Sequence, residues 1–256
     1  MFLRTESFKE FLKFYPVVSF LVGLHFFLWI LIDVLGLGFA RDLESFGVGV
    51  NLFILQGEYW RLVTPIFLHS GFTHALFNSF SLVLFGPALE QMLGKGKFIV
   101  MYLAAGIFGN FGTFIVDPDA YYAHLGASGA IFGIFGVYVY MVLFRKHLID
   151  QANSQIIMVI LILGLFMSFT RPNINILGHI FGLIGGFAVA PLLLRRARPF
   201  SIWQVRAQRT SSTRSDISFD PNRWNQKKLP MKKYGKYIIW GLIIFLVLVA
   251  LASGSF

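Results

Sequence analysis

Seven apolar segments, each close to the length of one bilayer crossing, recur along this chain of 256 residues. They cover residues 16–37, 72–93, 98–116, 127–144, 154–170, 174–194 and 235–252. About 20 apolar residues cross the hydrocarbon layer as a helix, and a chain in lipid must satisfy its backbone hydrogen bonds internally. With 56% hydrophobic and 13% charged residues, the composition also excludes an ordinary soluble domain. The sequence therefore predicts an all-α polytopic membrane protein.

The basic residues predict the orientation of these spans, because Lys and Arg near span ends are retained on the cytoplasmic side. When seven spans alternate in direction, all but three of the 22 basic residues fall on the face that holds the N-terminus. The exceptions are Arg41, Arg61 and Arg171. We therefore expect a cytoplasmic N-terminus and an external C-terminus. The first span lacks a small-residue cleavage pattern, so we interpret it as a retained span rather than a signal peptide.

A basic stretch separates the first six spans from the seventh. The net charge of +10 is concentrated between Arg195 and Lys236, where Asp216 and Asp220 are the only acidic residues. We interpret this stretch as a cytoplasmic topology determinant that contacts anionic lipid, in preference to a nucleic-acid site. The predicted organisation is a cytoplasmic N-terminus (1–15), a six-span core (16–195), a basic cytoplasmic linker (196–234) and a seventh transmembrane helix (235–252).

The outer connection between the first two spans, residues 38–70, contains Trp60 and Arg61 within the run Glu58-Tyr59-Trp60-Arg61. This connection is too polar to cross the bilayer and too apolar for a free loop. Trp and Tyr anchor segments at the level of the lipid headgroups, so we expect residues 38–70 to lie in the interface. Whether they form an ordinary anchoring loop or a shaped functional element stays open at this point.

Four polar residues inside the spans are predicted to share one depth. The second, fourth and sixth spans run in the same direction, and His74, Asn78, Ser128 and His179 all fall in the early turns of these spans. At a rise of 1.5 Å per residue, the four side chains lie within roughly 10 Å of the outer face. Polar groups at membrane depth need partners and are candidates for function.

Two chemistries suit these residue types. Ser128 and His179 have the chemistry of a nucleophile and a general base, although a lone serine or histidine in a span is often only a packing or satisfied polar residue. His74 and Asn78 are four residues apart and project from one helix face, either as paired oxyanion donors or as structural contacts between helices. Because no acidic side chain is apparent at this depth, the sequence favours a dyad over a triad.

Small residues flank both members of the proposed dyad. We expect the glycines of the fourth span to face those of the sixth, because small residues four apart let helices approach closely. The two predicted sets are Gly126, Gly129, Gly133 and Gly136 against Gly178, Gly182, Gly185 and Gly186. The interface would bring Ser128 within reach of His179.

These residues together resemble the rhomboid intramembrane serine proteases over residues 16–195. The resemblance is carried by Gly126-Ala127-Ser128-Gly129, by His179-Ile180-Phe181-Gly182 with Gly186, by His69, His74 and Asn78, and by Trp60-Arg61. It implies that Ser128 is the nucleophile and His179 the base, with an oxyanion hole formed by His74, Asn78 and the Ser128 backbone N–H. It also implies a six-helix rhomboid-like bundle plus one C-terminal transmembrane helix, a cavity open to water on the outer side and a mobile fifth span that gates substrate entry. The implied location is a bacterial cell membrane.

The resemblance also sets the expected substrates and partners, which are single-pass transmembrane proteins and the lipid bilayer, without nucleic acid, cofactor or metal. The oligomeric state stays open. Two positions depart from the family pattern: Phe132 stands where the family often has a Tyr that stacks on the imidazole, and Gly178 where it often has Ala. A catalytically silent rhomboid-like protein that binds membrane clients is the alternative. A transporter or channel is disfavoured, because the spans show almost no interior charge and no internal repeat.

Overall fold

The spans of the predicted core are helices in the computed structural model, which describes residues 1–2, 6–171 and 174–201. These helices are α2 (Pro16–Trp29, continued by a π-helix over Ile30–Val34), α5 (Gly71–Leu93), α6 (Lys95–Val116), α7 (Ser128–Phe144), α8 (Gln151–Thr170) and α9 (Ile176–Leu193). In this described part, five helical segments are long and apolar enough to cross a membrane, and α7 is a shorter apolar helix. The all-α polytopic membrane fold is thereby confirmed. The predicted seventh span and nearly all of the basic linker lie outside the described residues.

Short elements fill the ends of the bundle. Before α2 lies α1 (Phe8–Phe14), which begins with a capping box between Ser7 and Glu10. The connection between α2 and α5 contains α3 (Gly38–Gly47), β1 (Gly49–Val50), α4 (Asn51–Leu55) and two 3₁₀ turns, Tyr59–Leu62 and Thr64–Phe67. Two further 3₁₀ turns follow α7 and α9, at Lys146–Leu148 and Leu194–Arg196. Residues 38–70 are thus a folded region with its own helices.

A two-residue strand ties this outer connection to the segment that leads into α7. The strand β2 (Ala123–His124) pairs with β1 in antiparallel fashion, with Gly49 opposite His124. This pairing requires glycine at position 49, because a Cβ there would overlap the His124 ring. A backbone hydrogen bond from Gly126 N–H to Pro65 O, at 2.9 Å, adds a second tie. The start of α7 is therefore held by the connection between α2 and α5.

The helices α7 and α9 are in backbone contact through glycines. A Cβ on Gly182 would overlap the carbonyl oxygen of Gly129, and a Cβ on Gly186 would overlap that of Gly133. Two glycines depart from the predicted arrangement. Gly126 precedes α7 in a left-handed conformation (φ 126°) and faces His74, while Gly185 faces Phe108 of α6. Small-residue spacing identifies a helix face that can pack closely, but not which neighbour packs against it.

A buried carboxylate of α5, Glu90, accepts hydrogen bonds from the first turn of α2. Its two oxygens bind the backbone N–H groups of Val17 (3.0 Å) and Val18 (2.9 Å). The first N–H groups of a helix have no partner within the helix, so a carboxylate is a favourable cap there. Glu90 is a charge within a predicted span that the sequence interpretation did not use, and its position is explained by helix capping.

Candidate active site

Ser128 and His179 lie at the starts of α7 and α9, where the glycine contacts bring the two helices together. The Nε2 atom of His179 is 2.7 Å from the Ser128 hydroxyl oxygen. A Cβ at Gly129, the residue after the serine, would lie 3.3 Å from the carbonyl oxygen of Gly178, the residue before the histidine. The separation of the two side chains is thus fixed by the backbones directly beside them.

The imidazole of His179 stacks on Phe132, one helical turn after Ser128. The two rings are 4.3 Å apart between centroids and inclined by 19°. Residues four apart on a helix project from the same face, so the aromatic ring and the Ser128 hydroxyl reach the imidazole together. Phe132 therefore restricts the tilt of the ring whose Nε2 contacts Ser128.

The second ring nitrogen of His179 contacts a residue that the sequence interpretation missed, Ser168 of α8. Nδ1 and the Ser168 hydroxyl oxygen are 2.7 Å apart, and the same hydroxyl donates to the Gly164 carbonyl oxygen at 2.7 Å. A serine near the end of an apolar span gives no signal of this contact, because the contact depends on how α8 is rotated about its axis. Ser168 thereby links the Gly164 carbonyl oxygen of α8 to the imidazole of His179.

His74 lies close to the serine, and no hydrogen bond joins Ser128 to His74 or Asn78 in the described part of the chain. The Nδ1 atom of His74 accepts from the Ser70 backbone N–H at 3.4 Å and lies 3.1 Å from the Ser70 hydroxyl, and Asn78 Nδ2 donates to the His74 carbonyl oxygen at 3.0 Å. At Gly126, the point that a Cβ would occupy is 2.6 Å from His74 Nε2 and 3.8 Å from the Ser128 hydroxyl. Glycine at 126 therefore keeps open a space between the serine and an imidazole nitrogen.

His69 supports the backbone immediately before Ser128. Its Nε2 accepts a hydrogen bond from the Ala127 N–H at 3.4 Å, and its ring lies 4.4 Å from that of His25 and 5.1 Å from that of His74, between centroids. Burial, together with the neighbouring imidazoles of His25 and His74, lowers the pKa of His69 to about 2. His69 is therefore neutral near pH 7, as the acceptor role of Nε2 requires.

Trp60 and Arg61 organise the connection between α2 and α5. The Trp60 ring stacks on Phe46, with centroids 4.8 Å apart, and its indole N–H donates to the Phe46 carbonyl oxygen. Arg61 is 4% exposed, pairs with Glu58, and donates to the carbonyl oxygens of Ser45 and Val48. These contacts hold residues 38–70 together as a folded unit. None of the hydrogen bonds of Trp60 and Arg61 described above is made to Ser128.

Two other residues near the site escaped the sequence interpretation. Asn175 caps α9 by accepting from the Gly178 N–H at 2.9 Å, and it also accepts from the Thr113 hydroxyl at 3.1 Å. His124 is buried, and neither ring nitrogen has a hydrogen-bond partner in the described part of the chain. Burial lowers the pKa of His124 to about 4. An Asn directly before an apolar span is a recognisable cap signal, whereas His124 gave no pattern.

The arrangement suits proton transfer between Ser128 and His179. Within the described ranges, no group of three or more His, Cys, Asp and Glu side chains is placed to hold a metal ion. The Ser128 hydroxyl lies 2.7 Å from the His179 imidazole, and the Ser128 backbone N–H and a ring nitrogen of His74 are nearby. An acyl-transfer reaction requires donors and acceptors of these kinds.

Comparison with known proteins points to one family. A family model described as the rhomboid domain matches residues 56–196. The chain is 49% identical over 198 residues to YdcA of Bacillus subtilis (strain 168), named provisionally as a rhomboid protease, and the match covers 77% of this chain and 98% of YdcA. It is 41% identical over 188 residues to rhomboid protease GluP of the same organism, covering 72% of this chain and 36% of GluP. It is 30% identical over 171 residues to rhomboid-like protease 1 of Toxoplasma gondii, covering 64% and 57%.

Proposed function

Because this chain belongs to the rhomboid family and is a rhomboid-type serine protease, we propose that Ser128 is its nucleophile and His179 its general base. The observation that carries this assignment is the 2.7 Å separation between the Ser128 hydroxyl oxygen and His179 Nε2. That distance is within direct proton-transfer reach, and a hydroxyl becomes an effective nucleophile when an adjacent base removes its proton.

In the proposed reaction, Ser128 Oγ attacks the carbonyl carbon of the scissile peptide while His179 Nε2 accepts the hydroxyl proton. The tetrahedral intermediate collapses as the imidazolium returns that proton to the leaving amine, which produces an acyl-enzyme. Water activated by the same nitrogen then releases the new carboxyl group and regenerates Ser128. This scheme uses two side chains for covalent and proton-transfer steps and requires no cofactor.

Three hydrogen-bond donors are the proposed partners of the developing oxyanion. Ser128 is the first residue of α7, so its N–H has no partner within the helix. His74 accepts at Nδ1 from the Ser70 N–H, which leaves the ring hydrogen on Nε2, beside the space over Gly126. Asn78 Nδ2 carries a second hydrogen besides the one donated to His74 O. We assign His74, Asn78 and the Ser128 N–H to the oxyanion hole.

The position of the site and the family membership support a proposed substrate class. Ser128 and His179 lie at the starts of apolar helices, and both belong to a helical bundle of a membrane protease. We propose that the substrates are single-pass transmembrane proteins, cleaved near the outer face of a bacterial cell membrane. We also propose the domain organisation given above, from the cytoplasmic N-terminus (1–15) to the seventh transmembrane helix (235–252), with an external C-terminus.

The decisive experiment compares wild type, Ser128→Ala and His179→Ala, purified in detergent, on a tagged single-span substrate. Both variants should lose cleavage, because one lacks the nucleophile and the other lacks the base. Ser154→Ala is the matched control, since Ser154 is a half-buried serine at the start of α8 whose hydroxyl donates to the Asp150 carbonyl oxygen. Cleavage by Ser128→Ala at the wild-type rate would disprove the assignment, and loss of cleavage in the control would show that serine removal acts through the fold.

A fluorophosphonate probe gives an independent readout of the nucleophile. Labelling should require Ser128 and should slow strongly in His179→Ala, because the probe reacts with an activated serine hydroxyl. A rhomboid-like protein that only binds membrane clients would show no labelling at Ser128 in the wild type.

The proposed orientation is tested by the accessibility of a C-terminal tag in intact cells. A tag found on the cytoplasmic side would contradict the external C-terminus.

A further inference from the structure

Ser168, on α8, contacts the nitrogen of His179 that faces away from Ser128. We propose that Ser168 is a positioning residue for the general base, in a hydrogen-bonded chain that runs from the Gly164 carbonyl through Ser168 and His179 to Ser128. Each of the three links in this chain is 2.7 Å long. This inference rests on the proposed role of His179.

The direction of the hydrogen bonds follows from the donors available. A carbonyl oxygen can only accept, so the single hydrogen of the Ser168 hydroxyl points to Gly164 O. The Ser168 oxygen must then accept from His179, which places the ring hydrogen on Nδ1. A neutral imidazole with its hydrogen on Nδ1 has an acceptor at Nε2, the atom beside the Ser128 hydroxyl. Ser168 thereby selects the tautomer that a general base needs.

The surroundings of Ser168 show that the contact is specific. Ser168 is 1% exposed and is one of only three residues of α8 that are buried, with Ile157 and Leu161. Four positions before it, Gly164 lies against the ring that stacks on His179: a Cβ there would be 3.3 Å from Phe132 Cζ. The helix α8 therefore reaches the imidazole along its edge through Ser168 and supports its stacking partner through Gly164.

Ser168 also orients the ring after proton transfer. The imidazolium formed when Nε2 accepts the Ser128 proton keeps its Nδ1–H on the Ser168 oxygen, so the ring stays aligned for proton return. A neutral hydroxyl stabilises this cation less than a carboxylate does. We therefore expect a smaller effect than removal of a carboxylate from a catalytic triad causes, namely a loss of roughly tenfold in kcat for a single neutral hydrogen bond.

Thr170 provides the matched control on the same helix. Its hydroxyl donates to the Phe166 carbonyl oxygen four positions earlier, as the Ser168 hydroxyl does to Gly164, but Thr170 is exposed and does not contact the imidazole. A structural role for the hydroxyl in the helix would make removal at the two positions equivalent. A positioning role would make Ser168 alone affect turnover.

The test measures kcat, KM and the rate of fluorophosphonate labelling for Ser168→Ala, Ser168→Thr and Thr170→Val, with thermal unfolding as a check on the fold. Ser168→Ala should lower kcat and the labelling rate roughly tenfold with KM within about twofold. Ser168→Thr should recover most of the loss, because it retains the acceptor, and Thr170→Val should match wild type. Equal kcat in Ser168→Ala and Thr170→Val would overturn the proposal, as would an unrescued loss in Ser168→Thr.

A cysteine variant decides the question if Ser168→Ala does not fold. Ser168→Cys fills the site with a weakly accepting sulfur, so its kcat should lie below that of Ser168→Thr; an equal or higher kcat contradicts the proposal. Ser128→Ala, measured in parallel, separates the two claims. Activity that survives Ser128→Ala disproves the proposed function, whereas an inactive Ser128→Ala beside a wild-type-like Ser168→Ala disproves only the role of Ser168.

Discussion

The imidazole of His179 lies between two kinds of helix contact. The helices α7 and α9 touch through their backbones, whereas α8 approaches the imidazole with side chains. Between α7 and α9, glycine backbones touch, and a Cβ on Gly182 or Gly186 would overlap a carbonyl oxygen of the other helix. Most of α8 is instead half-buried or exposed: Ile162 is 61% and Phe166 60% exposed. Its contacts with the site are side-chain contacts, through Ser168 and beside Phe132.

The two kinds of contact therefore have different roles. Backbone contact between α7 and α9 sets the Ser128–His179 distance, and side-chain contacts from α8 orient the imidazole. Backbone contact leaves no room for adjustment, so α7 and α9 hold Ser128 and His179 in one geometry. Side-chain contacts from a largely exposed helix can be altered without disturbing that geometry. Changes at the glycines should therefore affect stability and activity together, whereas a change at Ser168 should affect activity with little effect on stability.

The largest effect is expected from Gly186→Ala. The new methyl group would overlap the Gly133 carbonyl oxygen, and overpacking against backbone cannot be relieved by rotating a side chain. We expect a loss of about 3 kcal/mol or more in unfolding free energy, together with loss of cleavage because α9 carries His179. Thermal unfolding in detergent and substrate cleavage measure the two effects.

Gly23→Ala is the control for this glycine, because nothing lies within 4 Å of the point that its Cβ would occupy. Its unfolding temperature should equal or slightly exceed that of the wild type, since alanine favours a helix over glycine. A Gly186→Ala protein as stable and active as Gly23→Ala would show that the α7–α9 contact is adjustable, and the contrast with α8 would be lost.

Acid should destabilise the protein through residues outside α8, which has no titratable side chain. The pKa of His69 falls to about 2 and that of His124 to about 4, both mainly because of burial. The unfolded chain, with an ordinary value of 6.5, therefore binds more protons than the folded one below that pH. Each histidine therefore contributes fully to the unfolding free energy above pH 6.5, and this contribution is lost as the pH falls toward 4. The loss reaches about 2 kcal/mol per histidine at pH 5.

Unfolding temperatures between pH 5 and pH 7.5 measure this loss. His124→Phe should weaken the pH dependence, because it removes a buried group that cannot be protonated in the folded state. Equal slopes in wild type and His124→Phe would assign the acid response to other groups.

The sequence was informative where the bilayer imposes the pattern and uninformative where helix rotation decides the contact. The bounds of α5, Gly71–Leu93, differ by one residue from the predicted 72–93 because lipid requires a continuous apolar helix. Ser128 and His179 were selected as polar residues within apolar spans. Ser168 was missed, because its contact depends on the rotation and tilt of α8, which packing sets. Gly126 and Gly185 received the wrong neighbours for the same reason.

Phe132 joins the two regions, because it lies on α7, stacks on His179 and faces Gly164 of α8. Phe132→Leu keeps an apolar residue but loses the stacked ring, a contact worth about 1 kcal/mol. We expect kcat to fall by roughly fivefold, a factor that corresponds to this energy. Phe132→Tyr retains the ring and should stay within about twofold of wild type. Steady-state cleavage compares the two, and equal losses would show that stacking is not what orients the imidazole.

The smallest effect is expected at Phe166, an exposed residue of α8 two positions before Ser168. Truncation to alanine removes a side chain that is 60% exposed, so the unfolding free energy should change by less than about 0.5 kcal/mol. Ile157→Ala, at a fully buried position of the same helix, should cost about 2 kcal/mol or more. Thermal unfolding of the two variants tests whether α8 is held by a few buried residues. Equal destabilisation would mean that its exposed face is also packed, and that Ser168 acts from a helix as constrained as α7 and α9.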